Sequence, residues 1–406
     1  MSDSDPSTHK PSLAFTTILL LSFLAALTPF SMDMYLPSLP TIAADLGVST
    51  DSAQHTVSAF LIGIAAGQLV HGPLSDTVGR IRVLVVALSI FVVATLLCAI
   101  ATSLELLVTL RFVQALGCGA LPVLVPAIVR DLTEGRDTAK TMSKMLMVMT
   151  AAPLLAPIAG GYLLVWINWR AVFYALLALG CCSWLIVVFY LTESHKSVQA
   201  VARDQLQRAL RGYFEVLRHR VALGYVLCVS FVFASMFTYL TSAAFVYVEY
   251  FRVAPQNSGY LFAVNMIFLL VGNLTNARLL RRHSPERLLI AGVLMSALSG
   301  LSLAATAYTH WGGLWGIAIN ICILLACMGM IAPNAAAVIL NYFPTLAGTA
   351  SSVINISRFA FGGLGGYVVS VLHNGTPVPM ALTICAANIL ALGSCYWLVL
   401  RAKAHQ

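Results

Sequence analysis

The chain is poor in charge. Only 9% of its 406 residues are Asp, Glu, Lys or Arg, where soluble proteins carry about a quarter. A soluble fold of this size cannot cover its surface with so little charge. Soluble enzymes, nucleic-acid binders and secreted disulfide scaffolds are therefore excluded. Acids are scarcer than bases, 15 against 23 Lys and Arg. The nine cysteines (Cys98, Cys118, Cys181, Cys182, Cys228, Cys322, Cys327, Cys385 and Cys395) all fall inside apolar runs and show no zinc-ligand spacing. They read as small packing residues, with no metal site and no disulfide framework.

What the chain has is hydrocarbon. Apolar residues make up 59%, and the mean hydropathy is +0.88. Runs such as LVVALSIFVVATLLCAIA are continuous, where the strands of a membrane barrel would alternate. Twelve helical spans of about 20 residues need roughly 240 apolar-dominated positions, close to what 59% of 406 provides. The runs predict helices near 14–38, 53–72, 82–101, 104–127, 142–165, 170–192, 221–248, 257–278, 287–307, 311–333, 346–372 and 376–400. No small-residue cleavage site follows the first run, so it is expected to be a retained helix rather than a signal peptide.

The basic residues alternate by side. Of the 23 Lys and Arg, nineteen fall in segments on the side of the N-terminus, only Arg170 and Arg252 on the other, and Arg111 and Arg358 within apolar runs. That asymmetry predicts that both termini are cytoplasmic. The net charge of +8 then reflects topology. The longest break, 193–220, is basic and carries Val201, Leu206, Leu210, Phe214 and Leu217 at helical spacing, which predicts an amphipathic linker on the inner leaflet. The expected layout is a tail (1–13), a six-helix bundle (14–192), the linker (193–220), a second six-helix bundle (221–400) and a tail (401–406). At an offset of 205, Gly67 falls on Gly272 and the basic segment at Arg80 on that holding Arg282 and Arg287. Two related halves are a mark of secondary transporters.

The strongest local motif is GPLSDTVGR, with Gly72, Asp76, Gly79 and Arg80 between the second and third spans. Gly79 permits a turn with positive φ, and Asp76 places an acceptor at a helix end. This loop resembles the signature loop of the major facilitator superfamily. The resemblance implies a latch between the two halves on the cytoplasmic side. Thr77 and Ile81 stand where basic residues are common in that family, which weakens the expected latch. LRFVQALGCGA, with Arg111, Gln114 and Gly117, is similar to the family's proton-translocation motif. APLLAPIAGG, with Pro153, Pro157, Gly160 and Gly161, resembles its antiporter motif, with Ala156 where glycine is expected. SMDMYLPSLP, with Asp33, Tyr35 and Pro37, and the stretches 258–269 and 343–359 resemble the drug:proton antiporters of the bicyclomycin-resistance (Bcr/CflA) group.

Buried charge points the same way without the resemblance. Of the fifteen acids only Asp33 sits well inside an apolar run, and of the bases only Arg111 and Arg358. An ionisable group in a span is a candidate functional group. Asp33 and Arg111 are placed at similar depth, and their pairing is expected to balance a proton site, burial favouring the neutral carboxyl and the guanidinium the charged one. Tyr35, Gln114, Tyr239, Asn265 and Arg358 are the candidate cavity residues. Glu249 and Arg252 read as a solvated loop. The chain contains no Walker sequence, so transport would draw on an ion gradient.

The expected fold is an all-α membrane protein of twelve transmembrane helices, two six-helix halves around a central cavity. The expected function is proton-coupled export of small amphipathic drugs of bicyclomycin, sulfonamide or phenicol type across a bacterial inner membrane. No cofactor, metal or nucleic acid is expected, and the working unit is a monomer whose partners are drug, protons and the bilayer. Importing or passively conducting a metabolite is the alternative. A non-transporting receptor is the remote one.

Overall fold

The computed structural model describes residues 15–193, 202–343 and 346–400. Helices make up nearly all of it, and no strand forms among the described residues. The first half holds α1 (Phe15–Asp33), α2 (Leu39–Asp45), α3 (Thr50–Val78), α4 (Arg80–Ala99), α5 (Leu104–Cys118), α6 (Leu121–Leu132), α7 (Gly135–Trp166) and α8 (Arg170–Tyr190). Then comes α9 (Ala202–Arg218), within the predicted linker. The second half holds α10 (Arg220–Ala244), α11 (Pro255–Leu279), α12 (Pro285–Thr309), α13 (Gly313–Tyr342), α14 (Ala347–Val371) and α15 (Val378–Ser394). The predicted tails, with residues 14 and 194–201, lie outside the described residues.

Twelve spans result, because α1 with α2, and α5 with α6, each make one. Eleven are long and apolar enough by composition alone to cross a membrane, and α14 is the twelfth. Its serines, glycines, Asn355 and Arg358 dilute it. It packs against α3 and α10, with Gly362, Gly363, Gly365 and Gly366 meeting those helices closely. The halves join along α3 with α14 and along α7 with α11.

The first span is not continuous. Its helix ends at Asp33, and a 3-10 turn, Leu36–Ser38, leads into α2. Pro37 has no N–H to give the Asp33 carbonyl, and the residue before a proline is disfavoured in the α region. The break is therefore written locally.

The internal repeat has a physical counterpart. A Cβ on Gly67 would lie 2.5 Å from the Leu116 carbonyl oxygen, and one on Gly119 2.7 Å from that of Ile64. In the second half Gly272 meets the Ala326 carbonyl, and a Cβ on Gly329 would lie 2.5 Å from that of Leu269. The same backbone contact, α3 with α5 or α11 with α13, thus forms twice. Gly272 follows Gly67 by 205 positions and Gly329 follows Gly119 by 210.

Candidate functional site

Arg111 is fully buried, and its donors go to the helix break. Its two terminal nitrogens each donate to the Ser31 carbonyl at 3.2 Å. In an unbroken helix that carbonyl would pair with the amide four residues on. The guanidinium thus caps the C-terminus of α1, where a cation is favoured by the exposed carbonyls. It also donates to Gln114 Oε1 at 2.6 Å, and Gln114 Nε2 donates to Thr95 at 2.7 Å. The Phe60 and Tyr35 rings lie 4.0 and 4.5 Å from the guanidinium carbon, close enough for cation–π attraction. Tyr35 in turn shares a hydrogen bond with Thr56 at 2.9 Å.

Asp33 stands at the break itself. It is 3% exposed, the only buried acid among the described residues, and its Oδ1 has no protein partner. The expected pairing with Arg111 is not made: the two form no ion pair, and the Arg111 hydrogen bonds go to Ser31 and Gln114. Its terminal nitrogens are taken by the freed Ser31 carbonyl and Gln114, while Arg111 Nε has no protein partner. The antiporter-like segment of α7 packs beside the break, with Gly160 against the Met34 carbonyl and Gly161 buried. Ala156 is buried, and the close backbone approach falls one turn on, at Gly160. Pro157 faces the other half, its carbonyl 3.0 Å from where a Cβ on Gly259 would sit. Pro153 lies one turn earlier in α7.

Around this depth the two halves meet along a polar seam. Gly366 of α14 lies between Ser58 of α3 and Thr241 of α10; a Cβ there would stand 2.8 Å from each hydroxyl. The side-chain oxygens of Ser38, Ser58, Thr238, Thr241 and Ser242, and both polar atoms of Gln54, are buried without a protein partner. Buried polar groups are ordinarily paired, so a cluster of exceptions calls for a ligand or water. The seam is closed at the far end of the bundle by contacts between the halves. Thr50 donates to Glu249, His55 stacks near Tyr367 with ring centroids 5.5 Å apart, and the Tyr162 and Tyr260 hydroxyls are 2.8 Å apart. Glu249 is therefore part of a seal, which corrects the expectation of a solvated loop.

The opposite end, where the basic loops gather, is open. A cleft of about 460 Å³ lies between the halves, lined by Gly72, Asp76, Arg80 and Arg130 on one side and Thr349 and Ser352 on the other, with Tyr213 of α9 at its edge. Burial raises the Tyr213 hydroxyl above the usual tyrosine pKa, and a contact with Ser352 draws it back. Gly79 adopts φ +111°, conformational space open to glycine, and ends α3. Arg80 donates to Asp76 at 2.8 Å and to Asp131 at 2.7 Å. Glu193 accepts from the amides of Arg80 and Ile81 at 2.8 and 3.2 Å, capping α4. Asp76 and Asp131 belong to the first half, and Glu193 is the first residue of the linker that follows it. The signature loop is thus braced on its own side, and among the described residues Arg80 makes its ion pairs with Asp76 and Asp131 rather than across the cleft.

The remaining cavity candidates do not line that cleft. Tyr35 and Gln114 are fully buried in the Arg111 cluster. Asn265 donates to the Tyr239 hydroxyl and, at 3.3 Å, to that of Tyr247, and accepts from Cys322 at 3.1 Å. Tyr239 and Asn265 are thus satisfied inside the second bundle. Arg358 is half-buried on α14 with its carbon 4.4 Å from the Phe233 ring, and its Nε is unpartnered. Sequence reasoning missed Phe60, Thr95, Glu193 and the seam hydroxyls. Of these only Phe60 carries a recognisable signal, since an arginine in an apolar run needs an aromatic or polar surround.

Twelve spans in two repeated bundles, joined along a seam that is sealed at one end and open at the other, define the secondary-transporter class rather than an enzyme. The chain belongs to the Major Facilitator Superfamily, whose pattern matches residues 21–366. It is 33% identical to the bicyclomycin resistance protein homolog of Haemophilus influenzae over 97% of this chain and 98% of that protein. It is 30% identical to the multidrug resistance protein MdtL of Citrobacter koseri, over 88% of this chain and 89% of that one. Solved structures share the fold at low identity. The xylose transporter XylE from E. coli, in a partially occluded inward open conformation, superposes with a TM-score of 0.71 at 15% identity, covering 95% of this chain and 97% of XylE. The peptide transporter POT in complex with sulfate gives 0.77 at 14%, covering 97% and 96%.

Proposed function

We propose that the protein is a proton-coupled antiporter that exports small amphipathic drugs across the bacterial inner membrane by alternating access. Asp33 carries the reading. A buried carboxyl with an unpartnered oxygen, at a helix break beside the seam between the halves, is a group whose charge is uncompensated until a proton or a ligand arrives. Drug and proton then compete for one environment, which is the requirement for exchange. The seam hydroxyls and Gln54 supply the polar contacts for a bound substrate once the halves part, and Arg358 adds a half-buried cation on α14. Arg111 keeps the break open by holding the Ser31 carbonyl, and so positions Asp33 without pairing to it.

The basic end is cytoplasmic on this reading, with both termini on that side, and the cleft beside Asp76 is the inward-facing opening. The names of the relatives support drugs as cargo, with bicyclomycin, sulfonamide and phenicol compounds the first to try. The chain works as a monomer, driven by the proton gradient without a cofactor.

The test is transport in proteoliposomes with an imposed pH gradient and a trapped pH dye. Exchange predicts that drug moving one way carries protons the other, and that a protonophore abolishes accumulation. Protons and solute moving together would make the protein an importer. Indifference to the protonophore would make it a facilitator.

A further inference from the structure

A groove on the outside of the first bundle takes no part in the proposed exchange. It lies between α1, α7 and α8, encloses about 630 Å³, and is walled by Leu19, Phe23, Phe30, Val148 and Ile186. Its floor is Leu27, only 2% exposed, so the groove cuts into the bundle and is deeper than ordinary surface relief. The Ser22 hydroxyl on its wall is already satisfied by the Ile18 carbonyl at 2.7 Å. A polar ligand body would find nothing to bond there. A hydrocarbon chain would fit.

Length and charge narrow the occupant. From Leu19 to Phe30 the groove follows α1 for roughly 16 Å, close to the ~15 Å depth of one leaflet's hydrocarbon. At its basic end stand Phe15, one turn before Leu19, and Lys144, one turn before Val148. The Lys144 nitrogen lies 5.9 Å over the Phe15 ring, and it forms no ion pair among the described residues. An unpaired ammonium thus marks the mouth of a slot that is one leaflet deep. Those are the two parts of a site for an anionic phospholipid, a phosphate at the mouth and an acyl chain inside.

We propose that this groove binds one phospholipid from the leaflet at the basic end, its phosphate meeting Lys144 and one acyl chain lying along α1 against α7 and α8. The occupied groove braces α1, whose other end carries Asp33.

Photo-crosslinking decides it. The full chain is placed in nanodiscs containing phosphatidylglycerol with a diazirine in one acyl chain, and the adducts are mapped by mass spectrometry. Adducts should concentrate on Leu19–Phe30 of α1 and the facing stretches of α7 and α8. Cys182→Trp, which fills the groove from its exposed wall, should lower their yield at least fivefold. Lys144→Ala should lower the preference for phosphatidylglycerol over phosphatidylethanolamine about fivefold, the factor one basic residue contributes at an anionic surface. Melting temperatures of both variants should match the parent. Adducts spread evenly over all lipid-facing helices would mean annular lipid only and would overturn the site. Wild-type yield in Cys182→Trp, or an unchanged headgroup preference in Lys144→Ala, would overturn it too.

Discussion

Asp33→Asn separates two accounts of the buried carboxyl. The amide has the same shape and cannot take up or release a proton in the working pH range. Were Asp33 clamped to Arg111, removing one partner of a buried pair would cost about 3–5 kcal/mol. The geometry has no clamp: Arg111 is engaged by Ser31 and Gln114, and Asp33 Oδ1 meets no protein donor. The substitution then breaks no ion pair and introduces one amide donor needing a partner, worth about 1 kcal/mol in either direction. Equilibrium unfolding in mixed micelles distinguishes about 1 from 3–5 kcal/mol. Drug added to the purified protein in weak buffer supplies the second readout, since wild type should release protons and Asp33→Asn should bind drug without doing so. A loss of stability near 4 kcal/mol would refute the geometry. Undiminished proton release would assign the proton to another group.

Arg111→Ala leaves the Ser31 carbonyl and Gln114 Oε1 without a donor, at about 1–3 kcal/mol each, so its unfolding free energy should fall by about 2–6 kcal/mol. Arg111→Lys should recover part of this, since the ammonium keeps the charge and has donors but lacks the fixed planar fork that spans both acceptors; equal stability of all three proteins would discard the helix cap. Asp76 is 47% exposed in its pair with Arg80, so Asp76→Asn should cost only about 0.5–1 kcal/mol and shift the inward–outward balance two- to fivefold, read by labelling of cysteines placed at the two mouths. An unshifted balance with normal turnover would leave the loop a plain connector. Gly160→Ala sets a methyl against the Met34 carbonyl, and transport should fall at least tenfold while the protein still inserts; wild-type turnover would show that α7 yields freely at this point.

Much of the architecture is legible in the sequence because the bilayer writes it. Hydrocarbon thickness sets the twelve runs, and the cost of burying charge picks out Asp33 and Arg111. The Gly67–Gly272 correspondence is visible because a backbone contact tolerates no side chain. What could not be read is partnership. Arg111 was expected to meet the acid at its own depth, but a freed carbonyl two residues before that acid is the better-placed acceptor. The break that frees it is signalled by Pro37, although the run predicts a single helix to residue 38. Glu249 looks like a loop residue until Thr50, 199 positions away, is brought against it. The composition of α14 looks like a weak span, and its place between α3 and α10 explains the glycines.

The two halves repeat the α3–α5 packing but not its chemistry. With the offset of 210 fixed by Gly119 and Gly329, Arg111 corresponds to Ile321 and Gln114 to Leu324; with that of 205, Phe60 corresponds to Asn265. One copy of the ancestral bundle holds an ionic cluster around a severed helix. The other fills the same place with hydrocarbon and a neutral tyrosine–asparagine network. A duplicated scaffold has thereby become one with unlike arms: on the proposed reading the charged half answers to protons, and the other, without buried charge at that place, is free to drift in shape. Divergence between relatives that share this build is expected to accumulate in the uncharged arm.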